Sequence, residues 1–86
     1  MSNIFSRVGV RFEVAQDVLG AIIAHHAEVL GEERSKANPD KTIIQKSLKA
    51  QEEMYEMRYR LRHDDEPEIE RIIKEYGPIA RELWDM

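Results

Sequence analysis

Apolar residues recur at alternating intervals of four and three along most of the chain, and this spacing constrains the fold more than any other feature. It returns each residue to one side of an α-helix, which has about 3.6 residues per turn. The rows are Val8, Phe12, Ala15, Leu19, Ile22, His26 and Val29; Ile43, Ser47, Ala50, Met54, Met57 and Leu61; and Ile69, Ile73, Tyr76, Ala80 and Leu83. The sequence therefore predicts an all-α fold, an antiparallel hairpin of two long helices with a shorter third helix.

Polar segments and prolines set the expected helix boundaries within a single helical domain, residues 1–86. The helices are expected at about 10–33, 40–63, 67–76 and 78–85. Gly31 is a natural C-terminal cap for the first helix, although the Glu and Arg residues that follow it could continue the helix. Asn38 or Asp40 can cap the N-terminus of the second helix. The third helix is expected to be kinked or broken at "GP", because Pro78 has no N–H to donate to the carbonyl of Lys74.

The N-terminal segment supports two interpretations. In "RVGVRFEVAQ", residues 7–16, apolar and polar residues alternate strictly, which is typical of a strand. The helical row that begins at Val8 is longer and unbroken, so we favour a helix from about Val10 or Phe12 onward. Residues 1–9 are left open and are compatible with extended chain.

The glycines of the first helix also support two interpretations. Gly9, Gly20 and Gly31 recur at intervals of eleven, which returns them to nearly the same helix face. Turn and cap roles are the simpler interpretation. The alternative is a glycine face on which another backbone packs closely.

Composition excludes several classes of site and protein. The chain has no cysteine, which rules out disulfides and thiolate metal sites and favours a reduced compartment, so a small bacterial-type, cytoplasmic protein is expected. The sequence contains no run of about 18 apolar residues, so no membrane span is predicted, and "MSNIFSRVG" does not resemble a signal peptide. With 13 basic and 17 acidic side chains, the net charge of −4 disfavours nucleic acid as a partner.

The pair His25–His26 looks most like chemistry, but the spacing argues against it. A metal site needs three or four converging ligands, whereas His25-x-x-Glu28 is a very weak signal. Adjacent helical residues point about 100° apart, so His26 falls on the apolar row and His25 beside it. We expect a buried polar position in which His26 is hydrogen-bonded to Gln51 or Ser47 of the second helix.

A second candidate lies in "MYEMRYRLRH", residues 54–63. Tyr55, Tyr59 and Arg62 share one predicted stripe with Arg58 beside it, and tyrosine and arginine are enriched at protein interfaces. A solvated helix face is the simpler interpretation, supported by Glu56 and Arg60 at i,i+4 spacing. Trp84, near the terminus, is expected to dock on the core, or to serve as a detachable binding element.

These features predict a protein–protein interaction module without catalytic residues, cofactor or metal. It would be an adaptor, inhibitor, antitoxin, immunity-type protein or secretion chaperone, regulatory in role and acting through its apolar helix seam. The seams exceed what the short third helix can cover, so its partner is expected to be another protein or itself, as a homodimer. The alternative is a dimeric ribbon-helix-helix-like DNA-binding transcriptional regulator, in which residues 7–14 form the strand.

Overall fold

The computed structural model describes the backbone of residues 7–84 and the side chains of residues 9–84. It contains three helices, α1 (Arg7–Arg34), α2 (Lys41–Arg60) and α3 (Glu66–Trp84). Because the described residues contain no strand, the predicted all-α class is confirmed. Residues 7–14, for which a strand is the alternative, are helical, and residues 1–6 lie outside the described part.

The turn between α1 and α2 begins later than a cap at Gly31 would place it. Helix α1 runs through Gly31 to Arg34, so the cap at Gly31 is wrong and the alternative, in which the helix continues past Gly31, is correct. The chain leaves the helix where the Ser35 backbone N–H donates to the carbonyls of Gly31 and Glu32, at 3.2 and 3.3 Å. Asp40 caps α2 as predicted, since its carboxylate accepts from the backbone N–H groups of Thr42 and Ile43.

The turn between α2 and α3 is short. Leu61 is extended and ends α2 two residues before the predicted boundary at His63. The Asp65 carboxylate then accepts from the backbone N–H of Glu68 at 3.3 Å, which satisfies one of the free donors of the first turn of α3.

Helix α3 is continuous across Gly77–Pro78, so the expectation of two separate helices, 67–76 and 78–85, is wrong. The clash between a proline ring and the preceding residue involves that residue's Cβ, which glycine lacks. Gly77 therefore lets the chain remain helical up to Pro78. Pro78 itself still removes one hydrogen bond from the helix.

Helix α1 is the centre of the fold, and α2 and α3 both pack on it. Helix α2 is antiparallel to α1, as shown by hydrogen bonds from Gln16 to the Arg58 carbonyl and from Gln51 to the Ile23 carbonyl. Helix α3 is parallel to α1, because Arg11 pairs with Glu70 near its start and Trp84 reaches α1 at its end. Helices α2 and α3 touch each other only slightly.

The core follows the predicted rows closely. Its buried members are Ala15, Leu19, Ile22, Ile23, Met54, Leu61, Ile69, Ile72 and Ala80. Ile23 and Leu30 depart from the first row, because they are buried although they lie beside it, and Ile43 is exposed although it lies on the second. On the third helix Ile72, beside the predicted row, is fully buried, while Ile73 on the row is half-buried.

The molecule is elongated, with extents of 57 × 26 × 19 Å. The described part of α3 reaches α1 only as far as Ala21 and His25, where Trp84 docks. Beyond that level, the end of α1 and the start of α2 pack on each other without α3. This leaves a two-helix extension with one covered face and much exposed surface.

Candidate interaction surface

One side of the α1–α2 hairpin is turned away from α3, and we call it the hairpin face. Met57 of α2 and Arg11 of α1 mark the α3 side, since they contact Arg71 and Glu70. At about 100° per residue, Tyr55 lies about 160° around α2 from Met57, and Gly20 about 180° around α1 from Arg11. The hairpin face comprises Gly20, Ala24, Ala27 and Gly31 of α1 and Ile44, Leu48, Tyr55 and Tyr59 of α2.

The α2 half of the hairpin face exposes large apolar side chains. Leu48 is 43% exposed, Tyr55 54% and Tyr59 91%, while Ile44 is half-buried. These residues follow one another at intervals of four and seven, so they form a single ridge along the helix. Such a ridge is a second apolar stripe on α2, separate from the stripe that packs against α1.

The α1 half of the hairpin face carries only small residues. A Cβ added at Gly31 would meet nothing within 4 Å, and one added at Gly20 would lie 4.0 Å from Arg58 Cζ. No glycine among the described residues has a positive φ. Neither backbone conformation nor crowding within the chain therefore requires glycine at these two positions.

A shallow groove of about 260 Å³ lies at the end of the hairpin face, lined by Gln16, Tyr55, Arg58 and Tyr59. Gln16 Nε2 donates to the Arg58 carbonyl at 3.2 Å and fixes the floor of the groove. Within residues 9–84, Arg58 makes no ion pair. Three of the predicted interface residues, Tyr55, Arg58 and Tyr59, thus surround one groove.

The other two predicted interface residues, Arg62 and Trp84, lie elsewhere. Arg62 comes after the end of α2, and its guanidinium donates to the Asp64 carboxylate at 3.2 Å. This contact holds the pKa of Asp64 below its usual value. The predicted stripe that includes Arg62 is wrong because the helix ends at Arg60.

Trp84 docks on α1, as expected for a large aromatic side chain near the terminus. Its indole Nε1 donates to the Ala21 carbonyl at 2.8 Å, and its ring stands edge-on to His25 with centroids 6.1 Å apart. The residue is nevertheless 42% exposed, so it is an anchor at the molecular edge rather than part of the core.

The expected hydrogen bond between His26 and Gln51 is not made. Gln51 Nε2 instead donates to the Ile23 carbonyl at 3.1 Å. His26 is half-buried, and its Nδ1 is buried without a hydrogen-bond partner in the described structure. Burial, and then the neighbouring His25, lower the pKa of His26 below its ordinary value. The prediction is wrong because the helix register places Gln51 beside the α1 backbone.

Glu33 is a buried charged residue that the sequence did not single out. Its carboxylate accepts from the backbone N–H of Asp40 at 2.8 Å and from Lys36 Nζ at 3.0 Å. The hydrogen bond from Asp40, followed by that from Lys36, lowers the pKa of Glu33. The only sequence signal was a glutamate next to a turn, which is common on any solvated helix end.

Neither a metal centre nor a membrane span is found in the part of the chain that the structure describes. No three histidine, aspartate or glutamate side chains there lie close enough to hold a metal ion. None of its helices combines the length and apolarity needed to cross a bilayer. A second groove, of about 310 Å³, lies between α2 and α3 and is lined by Glu56, Met57, Arg60, Leu61, Asp65 and Glu68.

Comparisons of this chain with protein-family models, with curated proteins and with solved structures found no significant match.

Proposed function

We propose that this protein is a non-enzymatic protein–protein interaction module that acts through the hairpin face. The observation that carries the proposal is the exposed ridge of Leu48, Tyr55 and Tyr59 on a helix whose opposite stripe already packs in the core. Contiguous apolar surface of this kind usually marks a binding site. Tyrosine and arginine, which meet at the Arg58 groove, are the residues most often found at the centre of such sites.

The ridge geometry also suggests the kind of partner. A straight row of apolar side chains beside a flat strip of small residues fits an amphipathic helix, which packs its own ridge alongside. An adaptor, inhibitor, antitoxin, immunity-type or chaperone role would each use such a surface. We further propose that the chain assembles as a dimeric helical bundle and that α3 bends at Pro78. A cytoplasmic location remains a prediction from the absence of cysteine.

The ribbon-helix-helix alternative has less support. It requires a strand at residues 7–14 for two chains to pair, and this segment is the first part of α1. The basic side chains that would enter the groove, Arg7 and Arg11, belong to that helix, and Arg11 is paired with Glu70 of α3. No observation favours DNA over protein as the partner.

The test is retention of partners from native cells by tagged chains. The double substitution Leu48→Ser with Tyr59→Ser removes apolar area from the hairpin face, and both residues are exposed, so the fold is kept. Ile79→Ser is the matched control, because Ile79 is 46% exposed on α3. We expect the native chain and the control to retain the same proteins, including a second tagged copy, and the double variant to lose them. Equal retention by all three chains would contradict the proposal.

A further inference from the structure

We infer that the occupant of the hairpin face is a second copy of this chain, related by a two-fold axis parallel to the helices. In this arrangement α1 of each chain packs on α2 of the other, which completes an antiparallel four-helix bundle. The inference rests on the proposed function, because it uses the same face and adds the identity and the register of the partner.

The hydrogen bonds between the helices fix which residues lie at the same level. Gln16 contacts the carbonyl of residue 58 and Gln51 that of residue 23, so in both pairs the two residue numbers add up to 74. A two-fold axis parallel to the helices exchanges α1 and α2 without shifting these levels. Each residue of α1 therefore faces a residue of the partner's α2 that lies at the same level in its own chain.

This register places large side chains against small ones along the whole face. To within one residue, Gly20 lies level with the partner's Tyr55, Ala27 with the partner's Leu48, and Gly31 with the partner's Ile44. A two-fold axis across the helices would instead bring α1 against the partner's α1, with small residues facing small and large facing large. Because only the first arrangement fills space evenly, shape selects the parallel axis.

Charge selects the same arrangement. Glu13 and Asp17 form an acidic edge on α1, and Asp17 lies close to the level of Arg58 near the end of α2. The parallel axis brings each acidic edge to the level of the partner's Arg58, once at each side of the dimer. Within residues 9–84, Glu13, Asp17 and Arg58 make no ion pair, so these charges are available to a second chain.

The glycines support a close approach from outside the chain. A helix with an internal glycine is less stable than the same helix with alanine, and neither the backbone conformation nor crowding within the chain requires glycine at positions 20 and 31. Both lie opposite large side chains in the proposed dimer. The side chain that would fill the open space at Gly31 is supplied by the partner's Ile44.

The size of the face indicates a reversible dimer. The hairpin face and the acidic edge together, from the level of Glu13 to that of Gly31, cover about 27 Å of helix, and two helices are about 20 Å wide. The footprint of roughly 500–600 Å² per chain is at the lower end for specific interfaces. We therefore expect dissociation in roughly the micromolar range.

The first experiment measures mass by sedimentation across the micromolar range for the native chain, Gly31→Trp and Ile79→Trp. A Cβ at Gly31 meets nothing within 4 Å and the position is exposed, as is Ile79, so we expect both chains to retain their helicity, which circular dichroism would verify. We expect a concentration-dependent dimer for the native chain and for Ile79→Trp, and a monomer for Gly31→Trp. A native chain that is monomeric throughout, or a Gly31→Trp chain that dimerises equally, overturns the inference.

The second experiment reads the register from disulfides, since the natural chain has no cysteine. An Ala27→Cys chain is mixed with a Leu48→Cys chain and mildly oxidised, and Ala27→Cys with Ile79→Cys is the control pair. We expect a heterodimer from the first mixture alone. Prominent self-linking of an Ala24→Cys chain would indicate the crossed arrangement and overturn the register.

The outcome for self-association is separable from that for the proposed function. If the native chain is monomeric, yet Leu48→Ser with Tyr59→Ser loses a different protein, the second-copy inference fails and the interaction module stands. If that double substitution changes neither self-association nor retention of any protein, both fail.

Discussion

At the scale of single residues, the polar groups of Glu33 and His26 have opposite effects on the fold. Glu33 is satisfied by two donors and closes the turn between α1 and α2. His26 places a polar Nδ1 in a buried position without a partner. A buried polar atom without a hydrogen bond lowers the stability of the folded chain, so His26 destabilises the helix packing whereas the hydrogen-bonded Glu33 stabilises the turn.

We predict that His26 makes the fold sensitive to mild acid. Its pKa is lowered in the folded chain by burial and by His25, so protonation favours the unfolded chain. The stability that this group contributes is present above its ordinary pKa of about 6.5 and is lost as the pH falls through the lower folded value. Denaturant unfolding between pH 7 and 5 should therefore show a decline in the native chain and a flatter profile in His26→Leu. The control His63→Leu should keep the decline, and parallel profiles for all three chains would refute the prediction.

We predict that Glu33 causes a second loss of folding stability, at a lower pH than the loss caused by His26. Its pKa is lowered by the Asp40 backbone N–H and by Lys36, so its contribution is present above about pH 4.5 and disappears as the pH falls through the folded value. Glu33→Gln keeps an oxygen to accept from Asp40 but loses the charge. We expect the variant to be less stable at pH 6 and to lose less stability between pH 5 and 3. The neighbouring Glu32→Gln, which is exposed, should follow the native profile in thermal unfolding at each pH.

At the scale of helices, the exposed capping residues and prolines influence the stability of α2 and α3. Asp40 caps α2 through two backbone N–H groups, and Asp65 accepts from the first turn of α3. Pro67 occupies the first turn of α3, where its missing N–H is of no consequence, whereas Pro78 lies inside the same helix. Two prolines in one helix therefore have very different effects.

We predict that Pro78→Ala stabilises the fold and Pro67→Ala does not. Alanine at position 78 restores the hydrogen bond to the Lys74 carbonyl and relieves the ring clash, for a gain of about 1–3 kcal/mol. Alanine at position 67 changes the free energy of unfolding by less than about 1 kcal/mol, because no hydrogen bond is missing there. Urea unfolding of the two variants measures both effects. Equal effects would show that α3 is not regular at Pro78.

We predict that Asp40→Ala destabilises the chain by about 0.5–2 kcal/mol, the usual cost of losing an N-cap. Two backbone N–H groups lose their acceptor, while the Asp40 N–H still reaches Glu33. Asp40→Asn, which keeps a side-chain oxygen, should recover most of the loss in urea unfolding. No recovery in the asparagine variant would mean that charge, and not the cap, is what matters.

The rows of apolar residues predicted which residues are buried, but not which helix buries them. Spacing alone placed Leu19, Met54 and Ile69 correctly, because periodicity is a property of each helix by itself. The contacts of His26, Gln51 and Glu33 depend on the register between helices, which a single sequence does not specify. Gly31 was assigned to a cap for a different reason, because glycine is common just after the end of a helix, and only the structure shows that α1 continues past it.

At the scale of the whole molecule, the charges beside the hairpin face predict how two chains would recognise each other in the proposed dimer. Asp17→Lys places like charges at the partner's Arg58 on both sides of the dimer and should weaken association about tenfold, given up to about 1 kcal/mol for each exposed pair. Adding Arg58→Glu to the same chain should restore most of the affinity in sedimentation. If the double variant is as weak as the single one, the two residues do not meet.

The slight contact between α2 and α3 has a consequence for the motions of the chain. Helix α3 is held almost entirely by α1, so it can detach as one cooperative unit while the hairpin stays folded. We expect amide hydrogen exchange to be faster in α3 than in the middle of α2, with the Trp84 fluorescence changing at a lower denaturant concentration than the helix signal. A chain opened in this way would expose the apolar side of α1 around Val18 and Ile22, and would then have two exposed apolar surfaces instead of one. If the hairpin face binds a partner as proposed, release of the last helix would allow the chain to bridge two partners instead of binding one.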